Sequence, residues 1–223
     1  MTMDVVSRRI ESAPKKPAAV RSEPTVFVVD DDPSIRESLR WLIESVGLRV
    51  QTSATAQEFL DRYDADTPGC LVLDVRMPGI SGLDLQAELS SRKISIPIII
   101  ITGHAEVPVA VSALKAGAMD FIEKPFSDQL LLDRVRRAIE ADTEARRVHG
   151  ERAAVSVRLD TLTPREREVM ELVIAGKANK VIAAELGLSP KTVEVHRAHV
   201  MKKMQVDSLA DLVRLGMISR QEK

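Results

Sequence analysis

Asp30 and Asp31 follow the apolar run VFVV, Asp74 follows CLVL, Thr102 closes IPIIIIT, and Lys124 stands in FIEKP. Short apolar runs of this kind read as buried parallel strands, and groups at their carboxyl ends fall at the crevice where open α/β sheets place their sites. Several carboxylates in one crevice suit a hard divalent cation. Magnesium takes about six oxygens and keeps several waters, so it needs only one or two direct carboxylates beside a phosphoryl oxygen. Asp31 and Asp74 are the candidate direct ligands, with Asp30 holding a metal-bound water. Asp74 is also the candidate nucleophile, because a carboxylate accepts a phosphoryl group as an aspartyl phosphate once cations screen the repulsion. Lys124 would contact that phosphate as a point charge, and Thr102 would donate its hydroxyl. The arrangement has two states: phosphate on Asp74 draws Thr102 inward and leaves space for the ring of Phe121. Taken singly, the three aspartates at 30–32 suit a solvated or helix-capping loop, Lys124 a turn lysine, and Phe121 plain core. Their joint placement at four strand ends favours the phosphoryl site.

A second constellation lies in LTPREREVMELVIAGKANKVIAAELGLSPKTVEVHRAHVMKKM. Thr163-Pro164-Arg165-Glu166 is a capping box with proline at the first helical position, opening a helix to about Ala175. Ala178 to Leu186 makes a second helix, turned by Gly187; Ser189-Pro190 starts a third, and Ser208 with Asp211 a fourth. In the third, Val193, His196, Val200 and Met204 recur at helical spacing and are expected to pack, whereas Lys191, Glu194, Val195, Ala198 and Lys202 point elsewhere. A helix in the major groove reads bases with its N-terminal residues, so Glu194 is placed to accept from a cytosine amino group and Val195 or Ala198 to touch a thymine methyl. Lys180, Thr192, Arg197, Lys202 and Lys203 suit phosphates, with Asn179 and Lys191 completing the DNA-facing set. Each basic residue taken alone is equally a solvated helix face. His196 and His199, three apart with no third ligand nearby, read as packing or surface.

The elements that position these groups alternate from Thr25 onward: TVFVVD, SIRESLRWLIESV, LRVQT, AQEFLDRY, CLVLDV, GLDLQAELS, IPIIIIT, VPVAVSALKAG, MDFIE and SDQLLLDRVRRAIE. Strands alternating with helices imply a parallel sheet covered on both faces, here of five βα units. Ser34 and Glu37 have capping-box spacing, Ile35, Leu39, Leu42, Ile43 and Val46 form one helix face, and Gly47 is placed to end that helix. The helix from near Ser127 runs into a charged stretch in which Gly150 is the expected break. The expected architecture is therefore an α/β doubly wound five-stranded parallel sheet followed by a small all-α four-helix domain. The expected divisions are a disordered extension over 1–24, the sheet domain over 25–139, a partly helical linker over 140–158 and the helix-turn-helix domain over 159–223.

At 223 residues and 44% hydrophobic composition, the chain can build ordinary cores for one large or two small domains. Its longest apolar stretch, PIIIIT, falls far short of the ~20 residues of a membrane span. The first 24 residues lack a signal peptide's apolar run, so a cytoplasmic location is expected. Cys70 is the lone cysteine, inside an expected strand, and reads as packing. The net charge of -1 hides an asymmetry: residues 25–139 carry 12 basic and 17 acidic side chains, residues 159–223 carry 11 and 9. The two parts have different tasks. An excess of two basic residues does not itself show nucleic-acid binding, so that inference rests on the motif. A dehydrogenase would need G-x-G-x-x-G where DDDPSI stands, and a D-x-D phosphatase a carboxylate where Arg76 stands. No Ser-His-Asp or Cys-His arrangement is suggested, so the chain is not expected to be an enzyme.

VVDDD, LDVRMPGISGLDL, ITGH and KAGAMDFIEKPF, in that order, resemble the receiver domain of bacterial two-component response regulators, whose fold is flavodoxin-like. The resemblance implies that Asp74 takes its phosphoryl group from a phosphohistidine on a sensor histidine kinase. It implies that Asp31, Asp74 and the backbone carbonyl of Arg76 bind Mg2+, and that Thr102, Phe121 and Lys124 transmit the change. Val75 and Arg76 occupy variable positions that tune dephosphorylation. The dimerising face implied comprises the helix from Val107 to Ala116, the strand near Phe121 and the helix from Asp128. The C-terminal sixty residues resemble the LuxR-type helix-turn-helix, and receiver plus LuxR-type reader is the arrangement of FixJ/NarL-type regulators. GHAEVPVAV and NKVIAAELGLSPKTVEVHRAHVMKKM resemble the FixJ branch, which implies a homodimer on phosphorylation, double-stranded promoter DNA and RNA polymerase as partners. A rival reading keeps the phosphate gate but has the helical domain bind a protein rather than DNA.

Overall fold

The computed structural model describes residues 23–103 and 107–220. The extension expected over 1–24 lies outside them but for its last two residues. The chain divides into two compact units at Ile139 and Glu140. Among the described residues no helix is long and apolar enough to cross a membrane.

The first unit runs β1 (Thr25–Val29), α1 (Pro33–Glu44), β2 (Arg49–Ser53), α2 (Ala56–Arg62), β3 (Gly69–Asp74), α3 (Gly82–Ser91), β4 (Ile98–Thr102), α4 (Val107–Lys115) and β5 (Asp120–Glu123), then enters α5 (Asp128–Asp160). Its five strands lie in the order β2-β1-β3-β4-β5, every pair parallel, the strand order of the flavodoxin-like fold. Helices cover both faces, so β3 and β4 are buried throughout and β1 nearly so. That is why their sequences are unbroken apolar runs rather than alternating ones. Phe27, Leu71, Leu73, Ile98 and Ile100 pack into one apolar layer, Val26, Val28, Cys70, Val72 and Ile99 into the other.

Register then places the chemistry. Val29 lies opposite Leu73, Asp74 opposite Ile101, and Thr102 opposite Glu123. Asp30, Asp74, Thr102 and Lys124 are thereby brought to one edge of the sheet. Gly82 allows the start of α3 to crowd that edge, since a Cβ there would lie 2.2 Å from the Asp74 carbonyl oxygen.

Two local expectations are corrected. The N-cap of α1 is Asp32, not Ser34: its carboxylate accepts from the N–H groups of Ser34 at 2.8 Å and Ile35 at 3.4 Å. Pro33 takes the first helical position, where its missing N–H costs nothing. Glu37 instead accepts from Trp41 Nε1 at 2.6 Å and pairs with Arg40. The second correction is Gly150, which does not break α5: the helix is continuous from Asp128 to Asp160. A mid-helix glycine costs about 1 kcal/mol, and charge pairs one turn apart, Arg146 with Asp142 and Arg147 with Glu144 and Glu151, support the helix across it.

The second unit comprises the end of α5 with α6 (Pro164–Ile174), α7 (Asn179–Leu186), α8 (Pro190–Met204) and α9 (Leu209–Arg220). The Thr163–Glu166 capping box is present, Ser189 caps α8, and Gly187 closes α7 in the left-handed conformation with φ 64°. The buried core joins Val169, Met170, Ile182, Val193, Val200 and Met204. It also takes in Val155 at 3% exposure, so the packed second unit reaches back into the stretch expected to be linker.

Candidate functional site

The centre of the first unit's site is an ammonium between two carboxylates. Lys124 Nζ lies 2.8 Å from Asp30 Oδ2 and 2.7 Å from Asp74 Oδ1, and both aspartates are buried. The other Asp74 oxygen accepts from the Arg76 N–H at 2.7 Å, and the other Asp30 oxygen from the Asp32 N–H at 2.9 Å. Lys124 is fixed from behind as its own N–H donates to the Thr102 carbonyl at 2.8 Å. Burial pushes the Asp74 carboxyl above the ordinary range; the Lys124 hydrogen bond opposes this without overcoming it, and the neighbouring Asp30 charge adds to the rise. Burial pulls Lys124 down, but its bonds to Asp30 and Asp74 outweigh that and hold it above its ordinary value. One ammonium thus serves two desolvated carboxylates, leaving negative charge in excess.

Asp31 is exposed in the bend after β1, and among the described residues no three His, Cys, Asp or Glu side chains are gathered as a metal cluster. The structure brings together Asp30 and Asp74 around Lys124; Asp31 stands outside that pair. Arg76 is exposed, and its N–H is the group seen on Asp74. Thr102 is buried at the same edge, and Phe121 is half-buried against the apolar layer that contains Leu85 and Ala113. Sequence reasoning missed Arg36, whose guanidinium donates to the Asp30 carbonyl at 2.6 Å. Its signal was an arginine one turn into the helix that follows the acidic loop.

In the second unit, Val193, Val200 and Met204 of α8 are buried, while Lys191, Glu194, Val195, Ala198 and Lys202 are exposed. Lys180 is exposed near the start of α7 and Thr192 is half-buried, its N–H donating to the Ser189 cap at 3.0 Å. His196 is half-buried with Nδ1 unpaired inside, and His199 is exposed. Four residues of the expected phosphate set have side chains engaged inside the domain, Thr192 with the Ser189 hydroxyl at 2.8 Å. Arg197 donates to Asn179 Oδ1 at 2.7 Å. Lys203 donates to Glu166 Oε2 at 2.6 Å and to the Thr161 carbonyl at 3.1 Å, so its charge is spent on a buried carboxylate rather than presented outward. That bond, followed by the Thr163 N–H, holds Glu166 down at about 2. Glu166 was read as half of a capping box only; its ion pair spans 37 residues, beyond any local pattern. Val181, 46% exposed on α7, is a further apolar surface residue that periodicity had not singled out.

Comparison with known proteins matches residues 26–136 to the response regulator receiver domain and residues 160–216 to the bacterial regulatory proteins of the luxR family. Nodulation protein W of Bradyrhizobium diazoefficiens is 53% identical over 86% of this chain and 84% of its own length. The transcriptional regulatory protein FixJ of Azorhizobium caulinodans is 48% identical over 87% of this chain and 92% of its own. Among solved structures, the response regulator StyR is 45% identical with a TM-score of 0.81, covering 88% of this chain and 99% of its own. Full-length FixJ from B. japonicum is 43% identical with a TM-score of 0.55, covering 91% of this chain and 100% of its own.

Proposed function

The chain belongs to the FixJ-type response regulators of two-component systems, a receiver domain joined to a LuxR-type DNA-binding domain, and from that premise we propose that a phosphoryl group on Asp74 governs how the C-terminal domain engages promoter DNA. The observation that carries this is the Lys124 ammonium held within 2.8 Å of two buried carboxylates at the sheet's carboxyl edge. In the proposed transfer, an Asp74 oxygen attacks the phosphorus of a phosphohistidine on a sensor histidine kinase. The P–N bond breaks, and the released imidazole takes up a proton. Lys124, already aimed at Asp74, pairs with the incoming phosphoryl oxygens, which offsets the charge that burial has left exposed to repulsion. Thr102 then turns toward the phosphate and Phe121 follows into the space it leaves.

The donor set suits Mg2+, since hard carboxylate oxygens share a single ammonium and charge remains to be neutralised. Asp31, Asp74 and the Arg76 carbonyl would hold the ion, with Asp30 acting through a water. Bound there, it supplies charge neutralisation on the phosphoryl oxygens.

Phosphorylation shifts the population toward a homodimer that binds two half-sites roughly one helical turn apart. Glu194, Val195 and Ala198, exposed on α8, read base edges, while Lys180, Lys191, Thr192 and Lys202 meet phosphates. RNA polymerase is the expected partner at the promoter. The test is intact mass after treatment with acetyl phosphate and Mg2+. Wild type gains one phosphoryl group and Asp74→Asn gains none; equal gains would overturn the assignment. Selection from a random duplex pool with the same two proteins then reads the switch, and a paired half-site motif is expected from phosphorylated wild type alone.

A further inference from the structure

We infer that Arg36 is the positioning residue of the acidic loop: by holding the Asp30 carbonyl it sets the direction in which Asp31 leaves the chain, and so the strength with which the loop binds a divalent cation. The inference rests on the reading of Asp31, Asp74 and the Arg76 carbonyl as an Mg2+ site. Asp31 is exposed, and among the described residues its carboxylate takes part in no hydrogen bond or ion pair. A side chain without partners is aimed through its backbone alone. Two planar peptide units meet at the Asp31 Cα, and each is held by one hydrogen bond. The unit before it carries the Asp30 carbonyl, which accepts from Arg36 Nη1 at 2.6 Å. The unit after it carries the Asp32 N–H, which donates to Asp30 Oδ1 at 2.9 Å. The second bond belongs to the phosphoryl site itself, because Asp30 is buried and its other oxygen is gripped by Lys124 at 2.8 Å. The first depends on Arg36.

Arg36 is half-buried at the end of the first turn of α1, and its own backbone N–H donates to the Asp32 carbonyl at 3.0 Å. Side chain and backbone of one residue therefore grasp both ends of the loop. Asp32 caps the same turn through the Ser34 and Ile35 N–H groups, which steadies the helix that carries the guanidinium. Among the described residues that guanidinium pairs with no carboxylate; its partner is the Asp30 carbonyl. A bond from a charged donor is about twice as strong as a neutral one, and here it is directed at a backbone group with two exposed carboxylates, Asp31 and Asp32, next in sequence. Charge balance alone would favour one of those carboxylates. The two roles carry opposite signs. Removing a positive charge beside the loop leaves a more negative site and tightens cation binding. Releasing the peptide unit that aims Asp31 loosens it, as loss of a group that orients a metal ligand weakens metal sites by about ten- to a hundredfold.

The test is calorimetric titration of the full-length chain with MgCl2, without a phosphoryl donor. Arg36→Met keeps the apolar stem and removes the bond. Arg40→Met, one turn further along α1, removes the same charge from an arginine that pairs with Glu37 and not with the loop. The Mg2+ dissociation constant of Arg36→Met is expected about tenfold weaker than wild type, with Arg40→Met binding as wild type does. In phosphoryl uptake from acetyl phosphate, Arg36→Met is expected to need about tenfold more Mg2+ for its half-maximal rate and to reach the wild-type rate at saturation, a split that a merely weakened fold would not give. Should Arg36→Met not fold, Arg36→Lys, whose ammonium ends one bond short of the Nη1 position, is read by the same criteria. Unchanged or tighter Mg2+ binding in the Arg36 variant overturns the inference, as does an equal loss in Arg40→Met or a lowered rate at saturating Mg2+. If wild type binds no Mg2+, or Asp31→Asn binds it as tightly as wild type, the reading of the metal site fails and the inference falls with it.

Discussion

Asp74 in the receiver and Glu166 in the reader are both buried carboxylates gripped by a lysine distant in sequence, yet they are shifted in opposite directions. Asp74 shares Lys124 with Asp30 and has one backbone N–H, so burial wins and its carboxyl is pushed up. Glu166 has Lys203 to itself and also accepts from the Thr163 N–H at 2.8 Å, so its charge is fully compensated and its carboxyl is held at about 2. The difference separates the group proposed to accept phosphate from one that fixes shape. An under-neutralised carboxylate gains when a cation and a phosphoryl group arrive together; a saturated one has nothing to gain and instead clamps α6 to α8.

Breaking the receiver side should give the largest effect. Lys124→Met leaves two buried carboxylates facing each other without their cation, and the incoming phosphoryl group without its positive partner. Loss of one such electrostatic contact costs about a hundredfold or more in rate. Phosphoryl uptake from acetyl phosphate, followed by intact mass, is expected to slow accordingly, while the fold of the reader is untouched. An unchanged rate would erase the distinction drawn between the two lysines.

On the reader side the expected loss is of stability and not of chemistry. Glu166→Gln should cost about 2 kcal/mol, the worth of a hydrogen bond to a charged group, with phosphoryl uptake at the wild-type rate. The single tryptophan, Trp41, lies in the receiver, so its fluorescence follows that unit alone while circular dichroism follows both. Urea unfolding should shift the circular dichroism and leave the Trp41 transition in place. The pH dependence has a definite sign. Because the folded Glu166 value, about 2, lies below the ordinary 4.5, its contribution is present above pH 4.5 and is lost as pH falls from there toward 2. Glu166→Gln should therefore lose the wild type's extra stability near neutrality and converge with it at the acid end. A constant difference across that range would assign the effect to packing.

The two carboxylates also show what the sequence could and could not reveal. Asp74 was legible because parallel strands buried on both faces must be unbroken apolar runs, and a carboxylate at the end of CLVL has only the sheet edge to occupy. The five-stranded sheet, the four-helix reader and the Thr163 cap were legible for similarly local reasons. Glu166 was read only as far as its cap, since its pairing with Lys203 depends on how α6 packs on α8. Gln86 gave no signal at all: a glutamine in LDLQAEL looks solvated until α4 closes over it. Asp32 displaced Ser34 as the cap because Pro33 fixed the first helical position. Gly150 does not interrupt α5, because flanking charge pairs and a core reaching back to Val155 hold a helix that propensity alone would break.

The smallest expected effect distinguishes two adjacent lysines on α8. Lys202 is exposed, whereas Lys203 is only 35% exposed and is bonded to Glu166 and to the Thr161 carbonyl. Periodicity gives both the same basic character, but only an outward ammonium can exchange counterions for a DNA phosphate. Each phosphate contact contributes about 0.9 to the slope of log affinity against log salt. Lys202→Ala is expected to lower that slope by about one and to weaken matched and mismatched duplexes alike, with stability unchanged. Lys203→Ala should leave the slope in place and lower reader stability as Glu166→Gln does, since both remove the same bond. A loss of slope in Lys203→Ala with no loss of stability would mean that Lys203 leaves Glu166 for DNA in the complex, and the clamp would then be a feature of the free protein alone.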